Sequence, residues 1–117
     1  MTLRECYTAL EGDFEGTVDR LCSEKLVEKF ALKFLEDGSY SLLTKAMEEK
    51  DYLTAFRASH TLKGVALNLG FTKLFQVSDA LTEALRGEKA PEDDTLMEKV
   101  VAEYERTVSL LKELQGV

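Results

Sequence analysis

The chain has 117 residues, of which 44% are hydrophobic, and a formal net charge of −7 at pH 7. This length is typical of one domain and allows a hydrophobic core without stabilising disulfides or metal ions. The acidic balance disfavours nucleic acid and anionic membranes as partners, because both attract basic surfaces. No apolar stretch is long enough to span a bilayer and no signal peptide opens the sequence, so we expect a cytoplasmic protein.

The first predicted element is a short helix, and the next predicted helix is one of the long ones. Gly12 and Gly16 bracket a predicted loop, although residues 18–22 could form one further turn. Ser23 is the expected N-cap of a helix over 23–36. Apolar residues at helical spacing predict the first helix, and they are Leu3, Cys6, Tyr7 and Leu10. The same spacing predicts the inner face of helix 23–36, formed by Leu26, Val27, Phe30, Ala31, Phe34 and Leu35.

The rest of the chain is predicted to form four further long helices. Asp51 is the expected N-cap of the second of these, Gly70 ends it, and Gly87 ends the third. No segment alternates with a period of two, so we predict no strands. The predicted helices cover residues 39–50, 52–69, 71–86 and about 92–114.

Long amphipathic helices with short loops predict an all-α fold, namely an antiparallel up-down four-helix bundle with one or two accessory N-terminal helices. We expect residues 1–117 to form a single bundle domain. Cys6 and Cys22 are expected to be reduced and to serve in packing. With one distant histidine they do not match a zinc pattern, so we expect neither a bound metal nor a bound cofactor.

His60, the only histidine, lies inside the predicted helix 52–69. Residues at i+3 and i+4 lie beside residue i on a helix, which places Lys63 and Gly64 next to the imidazole. A cation and a position without a side chain, beside a nucleophilic nitrogen, suit an incoming tetrahedral dianion. A glycine inside a helix costs about 1 kcal/mol relative to alanine, so its presence asks for a reason.

The run from His60 to Gly70, H-x-L-K-G-x-x-x-N-L-G, resembles the signature of histidine phosphotransfer domains, which are intermediates of two-component phosphorelays. Residues 56–60 also resemble the phosphoacceptor domain of chemotaxis histidine kinases, which belongs to the same structural family. The resemblance implies a four-helix bundle with the histidine on its second helix. That bundle maps onto the helices 39–50, 52–69, 71–86 and 92–114, or onto a set including 23–36; the sequence leaves open which helix is accessory.

The resemblance also implies a function. His60 would accept a phosphoryl group from a receiver-domain aspartate or a histidine kinase and pass it to another receiver aspartate. The Mg²⁺ ion and the catalytic aspartate would belong to the partner receiver, so this chain would be a phosphocarrier and not an enzyme. Lys63, supported by Arg57, would neutralise the phosphoryl oxygens, and Gly64 would leave room for the group.

A glutamine or glutamate on the next helix orients the imidazole in many members of that family. Thr82 aligns with this position, and its hydroxyl could reach the ring directly or through a water molecule. The chain departs from the family pattern here, which leaves the orientation of the imidazole open.

Helical geometry gives the predicted histidine helix two unlike faces. Small apolar residues form one face, suited to close packing. His60 lies nearly opposite, on a face that carries Leu53, Phe56 and Leu67 together with Arg57. This mixture of apolar and basic residues is typical of a partly exposed docking patch, and we expect a monomer that binds response-regulator receiver domains there.

Two alternatives stay open. The chain could be the phosphoacceptor domain of a larger histidine kinase, with ATP bound on another domain as the donor. It could also be a helical adaptor that binds a partner through the apolar patch around Phe56, with His60 incidental to its function. The adaptor hypothesis predicts no phosphate on His60 under any donor.

Overall fold

A computed structural model describes residues 1–116 of the chain, and the regular elements in this part are helices. The prediction of an all-α fold is therefore confirmed. A turn of 3₁₀-helix, Phe34–Glu36, follows the third helix directly. The α-helices are α1 (Leu3–Leu10), α2 (Phe14–Leu21), α3 (Glu24–Lys33), α4 (Ser39–Glu48), α5 (Tyr52–Asn68), α6 (Thr72–Leu85) and α7 (Thr95–Gln115).

Side-chain caps set the start of several helices. Thr2 and Glu5 form a capping box at α1, in which each side chain accepts a hydrogen bond from the backbone N–H of the other residue. The side chains of Asp13, Ser23 and Asp51 each accept from the backbone N–H three residues further on. The predicted N-caps Ser23 and Asp51 are thus confirmed.

Two predicted boundaries were wrong, and one predicted helix changes type near its end. The loop between Gly12 and Gly16 is shorter than predicted, because Asp13 caps α2 and brings Gly16 into its first turn. The helix over 23–36 tightens to a 3₁₀ turn after Lys33. The last helix starts at Thr95 instead of about residue 92, since the Asp93 carboxylate accepts from the Thr95 N–H at 2.9 Å.

The helices α4 to α7 pack in chain order. Helix α5 lies against both α4 and α6, and α6 lies against α7. The rings of Tyr40 on α4 and Tyr104 on α7 stack with their centroids 3.6 Å apart. These contacts join the four helices of the first predicted set, and their antiparallel order stays a prediction. Helices α1 and α3 both contact α7, and α2 contacts α3.

Helix α3 buries less of its apolar surface than its sequence predicts. Val27 and Ala31 are fully buried, as expected, but Leu26 and Phe30 are 37% and 39% exposed. Their predicted burial was wrong because α3 is covered only on the side that faces its neighbours. Its apolar pattern is wider than that covered side, which leaves Phe30 at the surface.

The N-terminal segment caps the carboxyl end of α5. The Tyr7 hydroxyl donates to the Leu69 carbonyl at 2.7 Å, and the Asp13 N–H donates to the Gly70 carbonyl at 2.9 Å. Arg20 donates to the two carbonyls that precede Leu69, each at 3.1 Å. The last carbonyls of a helix lack their usual partners within the helix, so the N-terminal segment supplies donors at this end that water would otherwise provide.

Gly70 ends α5 as predicted, with a left-handed φ of +73°. A Cβ atom at this position would collide with the Thr17 hydroxyl and would lie 2.6 Å from the Asp13 carbonyl oxygen. Both the backbone angle and the close approach of α2 therefore require glycine here. In the described residues, no helix has the length and apolar character needed to cross a membrane.

Candidate functional site

Helix α5 presents His60 to solvent because its opposite face is small and buried. Ala55, Ala58 and Leu62 on that face are at most 2% exposed. Small side chains allow α4 and α6 to approach the helix closely, which leaves the longer polar residues on the outer side. His60 is accordingly exposed, as the sequence predicts.

The Thr82 hydroxyl makes its hydrogen bonds inside the bundle and none to the imidazole. The side chain of Thr82 is fully buried, and its hydroxyl lies 2.7 Å from the Ser59 hydroxyl and donates to the Ser78 carbonyl at 2.7 Å. The Ser59 hydroxyl also reaches the Ser78 carbonyl, at 3.2 Å. The rotation of α6 turns Thr82 toward the packed face of α5, and the Thr82 hydroxyl there forms a hydrogen bond between the two helices.

Lys63 is already engaged in an ion pair. Its ammonium nitrogen lies 2.8 Å from an Asp79 carboxylate oxygen, and the two side chains are 19% and 42% exposed. Lys63 is one turn from His60 on α5, whereas Asp79 comes from α6. The cation predicted to neutralise a phosphoryl group is thus held beside the histidine by a carboxylate of the neighbouring helix.

Two further charged residues, Glu83 of α6 and Arg86 directly after this helix, lie on this side of the molecule. Glu83 accepts two hydrogen bonds from Arg86, at 3.0 and 2.9 Å. The hydrogen bonding from Arg86, followed by the positive fields of Arg86, Lys63 and His60, lowers the pKa of the Glu83 carboxyl. Sequence reasoning did not single out Glu83 and Arg86. The spacing of positions 79, 83 and 86, which share one helix face, was the signal that could have found them.

Gly64 borders open space. A Cβ atom built at this position meets no neighbouring atom within 4 Å. The residue lies at the edge of a groove of about 610 Å³ between α3 and α5, whose walls include Phe30, Phe34 and Val65. The clearance predicted beside His60 is present, and it continues into a partly apolar depression.

The residues predicted to form the docking patch differ in exposure. Leu67 is 55% exposed, while Leu53 and Phe56 are half-buried. The Phe56 ring packs partly against the core, its centroid lies 6.2 Å from that of the His60 ring, and the Arg86 guanidinium lies 5.3 Å over it. Phe56 therefore supports the site from the side and offers only part of its ring to a partner.

Arg57, the other predicted cation, is exposed. Its positive field contributes to the lowered pKa of Asp51, after the larger effect of the hydrogen bonds from Thr54. Arg57 thus lies toward the amino end of α5, whereas Lys63 lies toward α6. The structure gives the two predicted cations different surroundings, with Lys63 held in place and Arg57 open to solvent.

No group of three or more histidine, cysteine or acidic side chains within residues 1–116 is arranged to hold a metal ion. Cys6 and Cys22 are both free, as expected. Cys6 is fully buried, and burial raises the pKa of its thiol to about 11. Cys22 is exposed, so its predicted role in packing was wrong; it ends α2 in a left-handed conformation.

Comparison with known proteins identifies the family of this chain. The family model described as "Hpt domain" matches residues 26–115, a range that includes His60 and all of α4, α5 and α6. No curated protein and no solved structure matches the chain at a significant level. Helices α1 and α2 precede the matched range. Since the match covers most of the sequence, the chain belongs to the Hpt domain family, whose members carry phosphoryl groups on histidine in phosphorelays.

Proposed function

We propose that this chain is a phosphorelay carrier that accepts a phosphoryl group on His60 and passes it to a receiver-domain aspartate. The observation that carries the proposal is the pair of residues that lie next to the exposed imidazole on α5. Lys63 provides a fixed positive charge at i+3, and Gly64 provides open space at i+4. An inert surface histidine requires neither feature.

The chemistry can be written from the residues present. A lone pair of the His60 imidazole attacks phosphorus, and the bond between phosphorus and the donor aspartate oxygen breaks in line with the attack. The aspartate leaves as a carboxylate with the electron pair of that bond. The imidazole then carries the phosphoryl group, and the proton on its other nitrogen can pass to water. The reverse sequence transfers the group to the next aspartate.

The chain supplies the nucleophile and part of the charge stabilisation. Lys63 is placed to interact with the phosphoryl oxygens as they approach, with Arg57 as a second cation that solvent exposure leaves free to move. The remaining charge stabilisation is assigned to the partner receiver, which brings Mg²⁺ and its acidic pocket. The protein is on this proposal a phosphocarrier that depends on its partner for catalysis.

The proposed docking surface surrounds His60. Leu67 is its most exposed apolar residue, and Leu53 and Phe56 add partial apolar surface. A face that mixes apolar side chains with cations fits the acidic rim expected around a Mg²⁺-binding receiver pocket. We take residues 1–117 as one domain, an antiparallel bundle that acts as a monomer in the cytoplasm.

The test is phosphoryl transfer in solution. The chain is incubated with a panel of receiver domains phosphorylated by a small phosphodonor in the presence of Mg²⁺, and in a second arm with histidine kinases and ATP. Acid-labile phosphate on wild type but not on His60→Gln supports the proposal. Label that persists in His60→Gln, or its absence from wild type with every donor, refutes it; binding to a receiver without any label would favour the adaptor function.

A further inference from the structure

The ion pair between Lys63 and Asp79 has a geometry that affects how the site would hold a phosphoryl group. The ammonium and the carboxylate oxygen are 2.8 Å apart, which is short enough for a charge-assisted hydrogen bond. The Lys63 side chain is only 19% exposed, so water replaces the carboxylate poorly. A phosphoryl group that arrives on His60 must share or displace this contact to use the charge of Lys63.

Buried hydrogen bonds join the two helix segments that carry this ion pair. Asp79 follows Ser78 on α6, and the Ser78 carbonyl accepts hydrogen bonds from both Thr82 and Ser59. Ser59 in turn precedes His60 on α5. The carboxylate and the imidazole therefore belong to two helix segments that hydrogen bonds hold together, and Asp79 stays within reach of Lys63 when His60 reacts.

The other acidic residue on this side is differently occupied. Glu83 accepts two hydrogen bonds from Arg86, the residue directly after the helix that carries Glu83. Asp79 has its ion pair with Lys63, a residue of the helix that carries the reactive histidine. Of these two carboxylates, only Asp79 engages a cation that the phosphoryl group would need.

We propose that Asp79 is a positioning residue that limits how strongly the site retains a phosphoryl group, by competing with that group for the Lys63 ammonium. The inference rests on the proposed transfer at His60 and adds its regulation. In the free chain Lys63 neutralises Asp79. On the phosphorylated chain the same ammonium is divided between the carboxylate and the phosphoryl oxygens, which weakens retention and favours onward transfer to a receiver.

The experiment measures the equilibrium of reversible transfer between the full chain and one receiver, as the ratio of phosphorylated chain to phosphorylated receiver. Asp79→Asn should raise this ratio about threefold, the size of effect expected of a partly exposed ion pair. Asp79→Glu, which keeps the carboxylate, should stay near the wild-type ratio. An unchanged ratio in Asp79→Asn overturns the proposal.

A matched control removes a carboxylate elsewhere. The Glu11 carboxylate forms ion pairs with Lys73 at 3.2 Å and with Arg106 at 3.3 Å, so Glu11→Gln changes the net charge by the same amount at another interhelical ion pair. It should leave the transfer ratio unchanged. A rise equal to that of Asp79→Asn would reduce the effect to overall charge and would contradict the proposal.

A double-mutant cycle tests whether Asp79 acts through Lys63. In a Lys63→Met background, Asp79→Asn should lose most of its effect on the ratio, because the contested ammonium is gone. An effect of undiminished size would instead indicate that the Asp79 carboxylate repels the phosphoryl group directly, and it would overturn the proposed competition for Lys63. A wild-type chain that accepts no phosphoryl group refutes the proposed function itself, whereas normal acceptance with no effect at Asp79 refutes only this inference.

Discussion

The hydroxyl of Ser59 lies 2.7 Å from that of Thr82, and both side chains are fully buried between α5 and α6. Ser59 immediately precedes His60, so this contact fixes the rotation of α5 at the residue before the candidate phosphoacceptor. The rotation that buries both Ala58 and Ser59 turns His60 outward, since consecutive residues differ by about 100° around a helix and His60 therefore lies about 200° from Ala58. The outward position of His60 is thus determined from inside the bundle.

Thr82→Val should lower the free energy of unfolding by about 1 to 2 kcal/mol, because it removes a buried hydroxyl that makes two short contacts. Urea unfolding monitored by circular dichroism measures the loss. Thr8→Val is the matched control, since the Thr8 hydroxyl also donates to a carbonyl four residues earlier but is exposed. It should change stability by less than about 0.5 kcal/mol. Equal effects of both substitutions would contradict the buried role of Thr82.

Gly64→Gln should block phosphoryl transfer while stabilising the helix. A side chain at this position meets no neighbour within 4 Å, so it recovers up to about 1 kcal/mol of helix propensity without a clash. Its bulk would fill the space beside His60 that the phosphoryl group and the partner need. Transfer rates and melting temperatures are measured for Gly64→Gln and Gly64→Ala. A wild-type rate in Gly64→Gln would show that the open space has no part in transfer.

Leu67→Ala should weaken receiver binding and leave stability nearly unchanged, because more than half of this side chain is exposed. Isothermal titration with a receiver measures the affinity. Leu42, which is 48% exposed on α4 and lies outside the predicted patch, supplies the control Leu42→Ala. Equal loss of affinity in both variants would contradict a docking surface centred on α5.

Phe56→Ala should affect both properties. The ring is half-buried and packs partly against the core, so its loss should reduce stability. Its exposed edge beside His60 should contribute more than 1 kcal/mol to receiver binding, the threshold of a significant interface residue. Titration at a temperature where the variant is fully folded separates the two effects. Reduced stability with unchanged affinity would make Phe56 a packing residue only.

The two cysteines should react at different rates. Burial raises the pKa of Cys6 to about 11, so at pH 8 its thiol is protonated and shielded, while Cys22 is exposed. A disulfide reagent should modify one thiol in the native chain and two in urea. Because the Cys6 pKa is higher in the folded state, its contribution to stability is lost as the pH rises from about 9 to about 11. Rapid native labelling of Cys6 would contradict its burial.

Local signals predicted most of the helices. Ser23 and Asp51 cap their helices through hydrogen bonds to nearby backbone N–H groups, which do not depend on tertiary packing. The spacing of apolar residues likewise indicates which face of a helix is buried. The wrong predictions concern residues whose exposure or orientation depends on a neighbouring helix. Phe30 is exposed because α3 lacks a cover on that side, and Thr82 faces inward because packing on α5 sets the rotation of α6. The pairing of Lys63 with Asp79 joins two helices, and spacing along one helix cannot reveal it.

The cap on the carboxyl end of α5 has a consequence for protein engineering. The family match begins at residue 26, whereas Tyr7, Asp13 and Arg20 belong to the segment before it. The last carbonyls of a helix carry partial negative charge, and Arg20 brings a full positive charge to them. A chimaera assembled at the start of the family match would carry α5 without the positive charge that Arg20 brings to its carboxyl end. A transplanted unit that keeps this cap therefore has to include α1 and α2, which precede the matched residues.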